Sequence, residues 1–215
     1  TVLITGTNRG IGLEFVKQFL ARGDTLLATC RDMASATELD RLKVNNEKLQ
    51  LFELDVSSQE SMENLPKKLE GQAIDIFINN AAIYGPKDSV FGNVSADEWA
   101  KVFQINAKAP LILTQLLIDN LHDGFGKKLI YISSKMGSID DNKSGGSYVY
   151  RSSKTALNAI VKNISIDPNY NVWSEVADYL RNGEGNFILA EQSISYAIYA
   201  KESQYSPYDW YSNWK

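Results

Sequence analysis

The chain has 215 residues, enough for one sizeable core. It is 44% hydrophobic and 22% charged, with no biased tract, an ordinary composition for a globular protein. A net charge of -4 excludes an overall basic field for nucleic acid or an anionic membrane, and no apolar stretch is long enough to span a bilayer. One cysteine, Cys30, excludes an intrachain disulfide and fits a reducing compartment. The single histidine, His122, falls in a His122-Asp123-Gly124 turn and builds no metal site with Cys30. The first residues already read as a strand, so no signal peptide is visible and a cytoplasmic location is expected. The missing initiator Met suggests that the sequence starts a few residues late.

Val2-Leu3-Ile4 reads as a buried strand before the stretch TGTNRGIG, Thr5 to Gly12. Helical spacing of Leu13, Val16, Phe19 and Leu20 follows, and Gly23 stops that helix. Residues 25–29 form a second strand, 34–42 a helix and 49–54 a third strand. Ser57-Ser58-Gln59-Glu60 starts a helix that runs to Leu69. Ile74 to Ile78 is a fourth strand, followed by Asn79-Asn80-Ala81-Ala82. Ser95-Ala96-Asp97-Glu98 caps the next helix, and a long apolar helix runs from Ile105 to Leu121 with Pro110 bending it. Residues 127–132 are a fifth strand. A Gly-rich stretch, 137–146, leads to a helix over 148–166.

Strands alternate with helices, and nearly every strand is apolar along its length. That pattern marks a parallel sheet covered on both faces, a three-layer, doubly wound α/β fold. Ligands of such sheets sit at the carboxyl ends of the strands. The glycines after strand one, Arg31 after two, Asp55 after three, Asn79 after four and Ser134 after five all fall there.

In the glycine stretch, Gly6 permits a tight turn, Gly10 lets backbone approach a phosphate, and Gly12 lets the helix pack on the sheet. The backbone N–H groups and helix end suit an anion, and a dinucleotide pyrophosphate is the expected ligand. An acidic residue after strand two would bind an unphosphorylated ribose. Cys30-Arg31 stands there instead, with Arg9 before Gly10. Two guanidinium groups suit a 2′-phosphate, although both could be solvated surface charges, and Asp32 weakens the assignment slightly.

Thr5-Gly6-x3-Gly10-Ile11-Gly12, Asn79-Asn80-Ala81-Ala82 and Tyr150-x3-Lys154, in that order, resemble the signature of the short-chain dehydrogenase/reductase family. The resemblance extends to Asp167. Within the family the chain is most similar to small carbonyl reductases of the sniffer and C-factor type. It implies a Rossmann fold, the cofactor NADP(H), a small-molecule carbonyl substrate, and a homodimer or homotetramer through the helices at 107–121 and 148–166. The implied cofactor contacts are Gly6, Asn8, Arg9, Gly10, Ile11, Gly12, Arg31, Asp55, Val56, Asn80, Ala81 and Ala82, together with Tyr150 and Lys154. Asp55 would contact adenine, though it could equally cap the following helix.

Tyr150 and Lys154 lie four apart on one helix and share a face. A free phenol titrates near ~10, and a nearby ammonium favours the phenolate, which makes Tyr150 a usable general acid. The rival Tyr148 lacks a lysine four residues on. Ser133 and Ser134 compete to hold the substrate oxygen, and the family pattern, a serine three before a glycine, selects Ser134 through Gly137. Asn106 matches the family asparagine that holds a water on the lysine side, or is an ordinary mid-helix residue. The expected reaction is carbonyl reduction by NADPH with Tyr150 as proton donor. The competing reading is a non-catalytic dinucleotide sensor on the same fold.

Ala82 stands where the family usually has Gly. The larger departure comes after Asp167. Residues 168–215 hold eleven aromatics, among them Trp173, Trp210 and Trp214, and only seven of Val, Ile and Leu. No Pro-Gly follows Lys154, so the family's sixth strand is not recognisable. Residues 1–167 therefore form the expected dinucleotide-binding and catalytic core, and 168–215 an atypical segment of the same domain or an interface. Without a substitute, strand five would be an exposed edge under Ser134.

Overall fold

The computed structural model describes residues 1–125, 128–166, 188–190 and 197–199. Its elements in chain order are β1 (Val2–Thr5), α1 (Gly10–Arg22), β2 (Leu26–Cys30), α2 (Thr37–Val44), β3 (Leu49–Glu53), α3 (Gln59–Lys68) and β4 (Ile76–Asn79). After these come α4 (Ala96–Phe103), a π-helical turn (Gln104–Lys108), α5 (Ala109–Leu116), α6 (Ile118–His122), β5 (Lys128–Ile132), a 3-10 turn (Lys135–Gly137), α7 (Tyr148–Ile166), β6 (Ile188–Ala190) and β7 (Ala197–Tyr199).

The sheet has the order β3-β2-β1-β4-β5-β6-β7. Strands β1 to β6 pair in parallel, and β7 joins β6 antiparallel. The order reverses between β1 and β4, where a crevice opens at the strand ends. The fully apolar strands follow from burial on both faces. Leu3, Leu27, Phe77, Leu129 and Tyr131 pack against Leu113, Leu117, Leu157 and Val161 on one side. Ile4, Ala28, Ile78 and Ile130 pack against Val16, Phe19 and Leu39 on the other.

Strand five has a neighbour, so the exposed edge expected only in the absence of a substitute does not arise: Ile130, Tyr131 and Ile132 pair with Ile188, Leu189 and Ala190. A short apolar run inside the aromatic-rich segment thus supplies the sixth strand that the missing Pro-Gly pattern concealed. The long helix over 105–121 is also not continuous. It is a π turn, then α5, then a break at Leu117 before α6. Pro110 is the second residue of α5, directly after the π turn, and the backbone flanking the turn at Phe103, Lys108 and Ala109 is right-handed helical, so Pro110 lies where one helical path passes from π to α geometry. The other trimmings are small, with α2 beginning at Thr37 and β4 extending to Asn79. Trp173, Trp210 and Trp214 lie outside the described residues.

Helix α7, which carries Tyr150 and Lys154, is capped from a distant part of the chain. The residue before it, Ser147, has φ 47, the left-handed region, and its hydroxyl is engaged with Tyr84. Ser89, 60 positions earlier and 2% exposed, supplies the cap. Its Oγ accepts the Val149 N–H at 3.2 Å and its carbonyl accepts the Tyr148 N–H at 3.1 Å. We expect Ser89→Ala to lower stability by about 1–2 kcal/mol and to speed amide exchange at Val149. Urea unfolding and hydrogen exchange would measure both, and unchanged exchange at Val149 would count against this cap.

Candidate active site

The crevice is pinned at the β1–β4 junction. Thr5 Oγ1 accepts the backbone N–H groups of both Asn80 and Ala81, each at 3.0 Å. The Asn80 amide returns two bonds, donating to the carbonyls of Thr5 at 2.9 Å and Gly6 at 3.0 Å. Gly6, at φ +70, lies so close to Ala81 that a Cβ would stand 2.9 Å from its Cα. A Cβ on Gly12 would fall on the Gly6 carbonyl and 2.6 Å from Asn80 Nδ2. These glycines therefore serve close packing of the turn beneath, and Asn80 holds the turn in shape.

Gly10 is different. It has φ +57, and a Cβ there would meet nothing within 4 Å. Open space therefore lies over the first turn of α1, whose N-terminus has no side-chain cap and no acidic residue. Uncapped N–H donors facing an open cradle fit a dinucleotide phosphate. Arg9 and Arg31 flank this region, both exposed and with no ion pair among the described residues. Asp32 is turned to its own loop, where Oδ1 accepts the Ala34 N–H at 3.0 Å. Asn8 and Ile11 are half-buried in the turn, and Ala82 is exposed. Asp55 Oδ1 accepts from the Ser57 backbone at 2.9 Å and the Ser57 hydroxyl at 2.6 Å. The cap of α3 is Ser58, which accepts from Ser61 N, so Asp55 does not cap that helix. Val56 packs against the core below.

At the end of β5 the two serines have different partners. Ser133 Oγ donates to Asn158 Oδ1 on α7 at 2.6 Å. Ser134 Oγ accepts the Met136 N–H at 3.1 Å, opening the 3-10 turn. Gly137 explains the serine-to-glycine spacing. A Cβ on it would lie 3.0 Å from the Lys154 backbone carbon and Cβ, so only glycine lets the Ser134 turn approach α7 this closely. Thr155 Oγ1 donates to the Gly137 carbonyl at 2.9 Å and ties the same contact.

On α7, Tyr150 and Lys154 are each 2% exposed, while the rival Tyr148 is 46% exposed and faces outward. Lys154 Nζ donates to the Ile132 carbonyl at 2.8 Å and stands 6.0 Å from the Tyr150 ring centroid. Burial of the ammonium lowers Lys154 from the ordinary lysine range to about 8. Asn106 is 1% exposed and sits in the π turn, not in a regular helix. Its Oδ1 accepts the Ile83 N–H at 2.9 Å, and its Nδ2 donates to the Ile83 carbonyl at 2.8 Å and to Ser153 Oγ at 3.1 Å. Ser153 in turn donates to the Tyr150 carbonyl at 2.8 Å. A π turn shifts the backbone ladder by one residue, here with Ala109 N–H on the Gln104 carbonyl, and aims side chains that a regular helix would not.

The structure thus brings Ser134, Tyr150, Lys154 and Asn106 to one end of the sheet, beside the glycine turn. Sequence reasoning missed four supporting residues: Thr5, Ser89, Ser153 and Tyr84. Thr5 was quoted only as part of a motif, and the others carry no local signal because their partners are distant in sequence.

A doubly wound sheet with a glycine turn at its switch point defines a dinucleotide-binding class of fold. Residues 1–172 match the short chain dehydrogenase family, and the chain belongs to it. It is 38% identical over 94 residues to C-signal of Myxococcus xanthus, a match covering 44% of this chain and 56% of that protein. Its fold is similar to carbonyl reductase Sniffer of D. melanogaster, with TM-score 0.72, 33% identity, and 78% of this chain and 74% of that one covered. An NADPH-bound carbonyl reductase from chicken fatty liver also has TM-score 0.72, with 31% identity and coverage of 82% and 71%. The match covers 40% to 70% of the length of these and other curated relatives, 56% for C-signal.

Two measurements test this geometry. Thr5→Val keeps the shape but leaves two N–H groups without their acceptor, and we expect a loss of about 2–4 kcal/mol in urea unfolding. A loss below about 0.5 kcal/mol would show that the junction does not depend on Thr5. The second measurement uses pH. Unfolded, Lys154 holds its proton up to the ordinary lysine pKa, whereas folded it releases it near about 8. The unfolded chain therefore binds more protons through this window, and stability from this group rises with pH. The burial cost is fully present below about pH 8 and fades toward the ordinary value. The stability of the wild type relative to Lys154→Met should accordingly improve by up to about 3 kcal/mol between those limits.

Proposed function

We propose that the protein is an NADPH-dependent carbonyl reductase in which Tyr150 gives the proton, Ser134 holds the substrate oxygen, and Lys154 and Asn106 support the tyrosine. The observation that carries this reading is the placement of Tyr150 and Lys154 against the Ser134 turn, at the strand ends beside an open, uncapped glycine turn. The NADPH-bound carbonyl reductase from chicken fatty liver and the exposed pair Arg9 and Arg31, with no ion pair among the described residues, support the phosphorylated cofactor.

When bound, NADPH supplies the hydride that adds to the carbonyl carbon. Tyr150 gives its phenolic proton to the carbonyl oxygen, so the C–O π bond is lost, one C–H and one O–H bond form, the C–O single bond stays and the product is an alcohol. Ser134 Oγ, whose acceptor side already holds Met136 N–H, has its own proton for the same oxygen and stabilises the charge that builds there. Lys154 keeps an ammonium 6.0 Å from the Tyr150 ring, which favours the phenolate left behind. Below pH 8 that lysine is mostly charged, so this support weakens as pH rises through about 8. Asn106, through Ser153 and the Tyr150 carbonyl, keeps α7 in register with the loop after β4. Gly6, Asn8, Gly10, Ile11 and Gly12 would cradle the pyrophosphate, Arg9 and Arg31 the 2′-phosphate, and Asp55 and Val56 the adenine, while Ala81, Ala82, Tyr150 and Lys154 would line the nicotinamide side. Cytoplasmic residence and assembly as a homodimer or homotetramer belong to the same reading.

NADPH consumption with a panel of ketones, aldehydes and diketones tests it beside Tyr150→Phe. We expect turnover by the wild type and a loss of roughly 10²–10⁴-fold in the variant. Binding of NADPH without turnover of any panel member would favour the dinucleotide sensor instead.

A further inference from the structure

We propose that Tyr84 is a specificity-determining residue, an aromatic wall over Tyr150 that selects carbonyl compounds carrying a flat aromatic group beside the carbonyl. The proposal rests on the reading of Tyr150 as proton donor. The Tyr84 and Tyr150 rings are stacked, with centroids 4.5 Å apart and planes 24° from parallel. Tyr150 is 2% exposed and Tyr84 39%, so Tyr84 stands on the solvent side and forms the outer layer of the pair. A substrate that reaches the Tyr150 hydroxyl from solvent meets this ring.

The ring is held in place from three directions. Its hydroxyl lies 3.0 Å from Ser147 Oγ, on the residue that precedes α7 in a left-handed conformation. On one side, the Ile83 backbone gives both its N–H and its carbonyl to Asn106. On the other, Gly85 at φ +76 packs so closely that a Cβ would stand 2.7 Å from Val102 Cγ2. The backbone around Tyr84 is therefore fixed, and the ring moves only by rotation of its own side chain. A group mounted this way discriminates by shape, because it cannot give way at low cost. An aryl group whose carbonyl meets the Tyr150 hydroxyl can contact the edge of the Tyr84 ring in an offset or edge-to-face arrangement, whereas an aliphatic group of similar size gains contact area alone.

The test compares kcat/KM for 1-phenyl-1,2-propanedione and for 2,3-hexanedione in the wild type, Tyr84→Phe and Tyr84→Ala. The wild type should prefer the phenyl compound. Tyr84→Phe keeps the ring and should keep the preference within about twofold, while Tyr84→Ala should reduce it roughly three- to tenfold. A preference unchanged within twofold in Tyr84→Ala would overturn the proposal. Tyr150→Phe tests the underlying reading separately. If it still turns over, Tyr150 is not the donor, while the Tyr84 ratio continues to report on the wall. If neither dione is reduced by the wild type, calorimetric titration with 1-phenyl-1,2-propanedione decides. Weaker binding to Tyr84→Ala than to wild type supports the wall, and equal binding, or none to the wild type, refutes it.

Discussion

One hydroxyl ties the structure together at its switch point. Thr5 Oγ1 receives two backbone N–H groups from the turn after β4. Without that hydroxyl, the Asn80 and Ala81 N–H groups after β4 would be unpaired donors inside a half-buried crevice. Because both strands are anchored there, the glycine turn above β1 and the loop after β4 have one fixed relation. Every later feature is measured from that relation. The Asn80 amide bonds, the contact of Gly6 with Ala81 and the seat of Gly12 all converge on it.

The second half of the site is assembled by long-range polar bonds, not by the helix that carries it. Ser89 caps α7, Ser133 and Thr155 tie it to the end of β5, and Asn106 reaches it through Ser153. These bonds join residues up to 60 positions apart in the chain. They allow an ammonium to be buried at Lys154, where it donates to the Ile132 carbonyl. The cost of burial is what brings that lysine to about 8, inside the range where proton traffic is useful. The surrounding network holds the buried ammonium in place.

Much of this was legible in the sequence, for physical reasons. The inner strands β1, β2 and β4 are buried along their whole length because helices cover both faces, and that apolar run gave away the layering. Ser134 was separable from Ser133 through Gly137, whose missing Cβ allows the turn to approach Lys154. The π turn at Asn106 was not legible. Gln104 to Lys108 has an ordinary helical composition, and the extra backbone residue is imposed by partners at Ile83 and Ser153. Strand β6 was missed for a related reason. Three apolar residues within an aromatic-rich stretch are too few to mark a strand, and pairing with β5 reveals them. Tyr84 was invisible because a stack between residues 66 positions apart leaves no trace in local pattern.

The central claim is that the glycine turn with its two arginines takes a phosphorylated nicotinamide dinucleotide. Calorimetric titration of the 215-residue chain with NADPH and with NADH tests it most directly. Charge-assisted bonds from Arg9 and Arg31 to the 2′-phosphate should make NADPH bind at least about tenfold more tightly. Equal affinity for the two would remove the arginines from the site, and no binding of either would contradict the account as a whole.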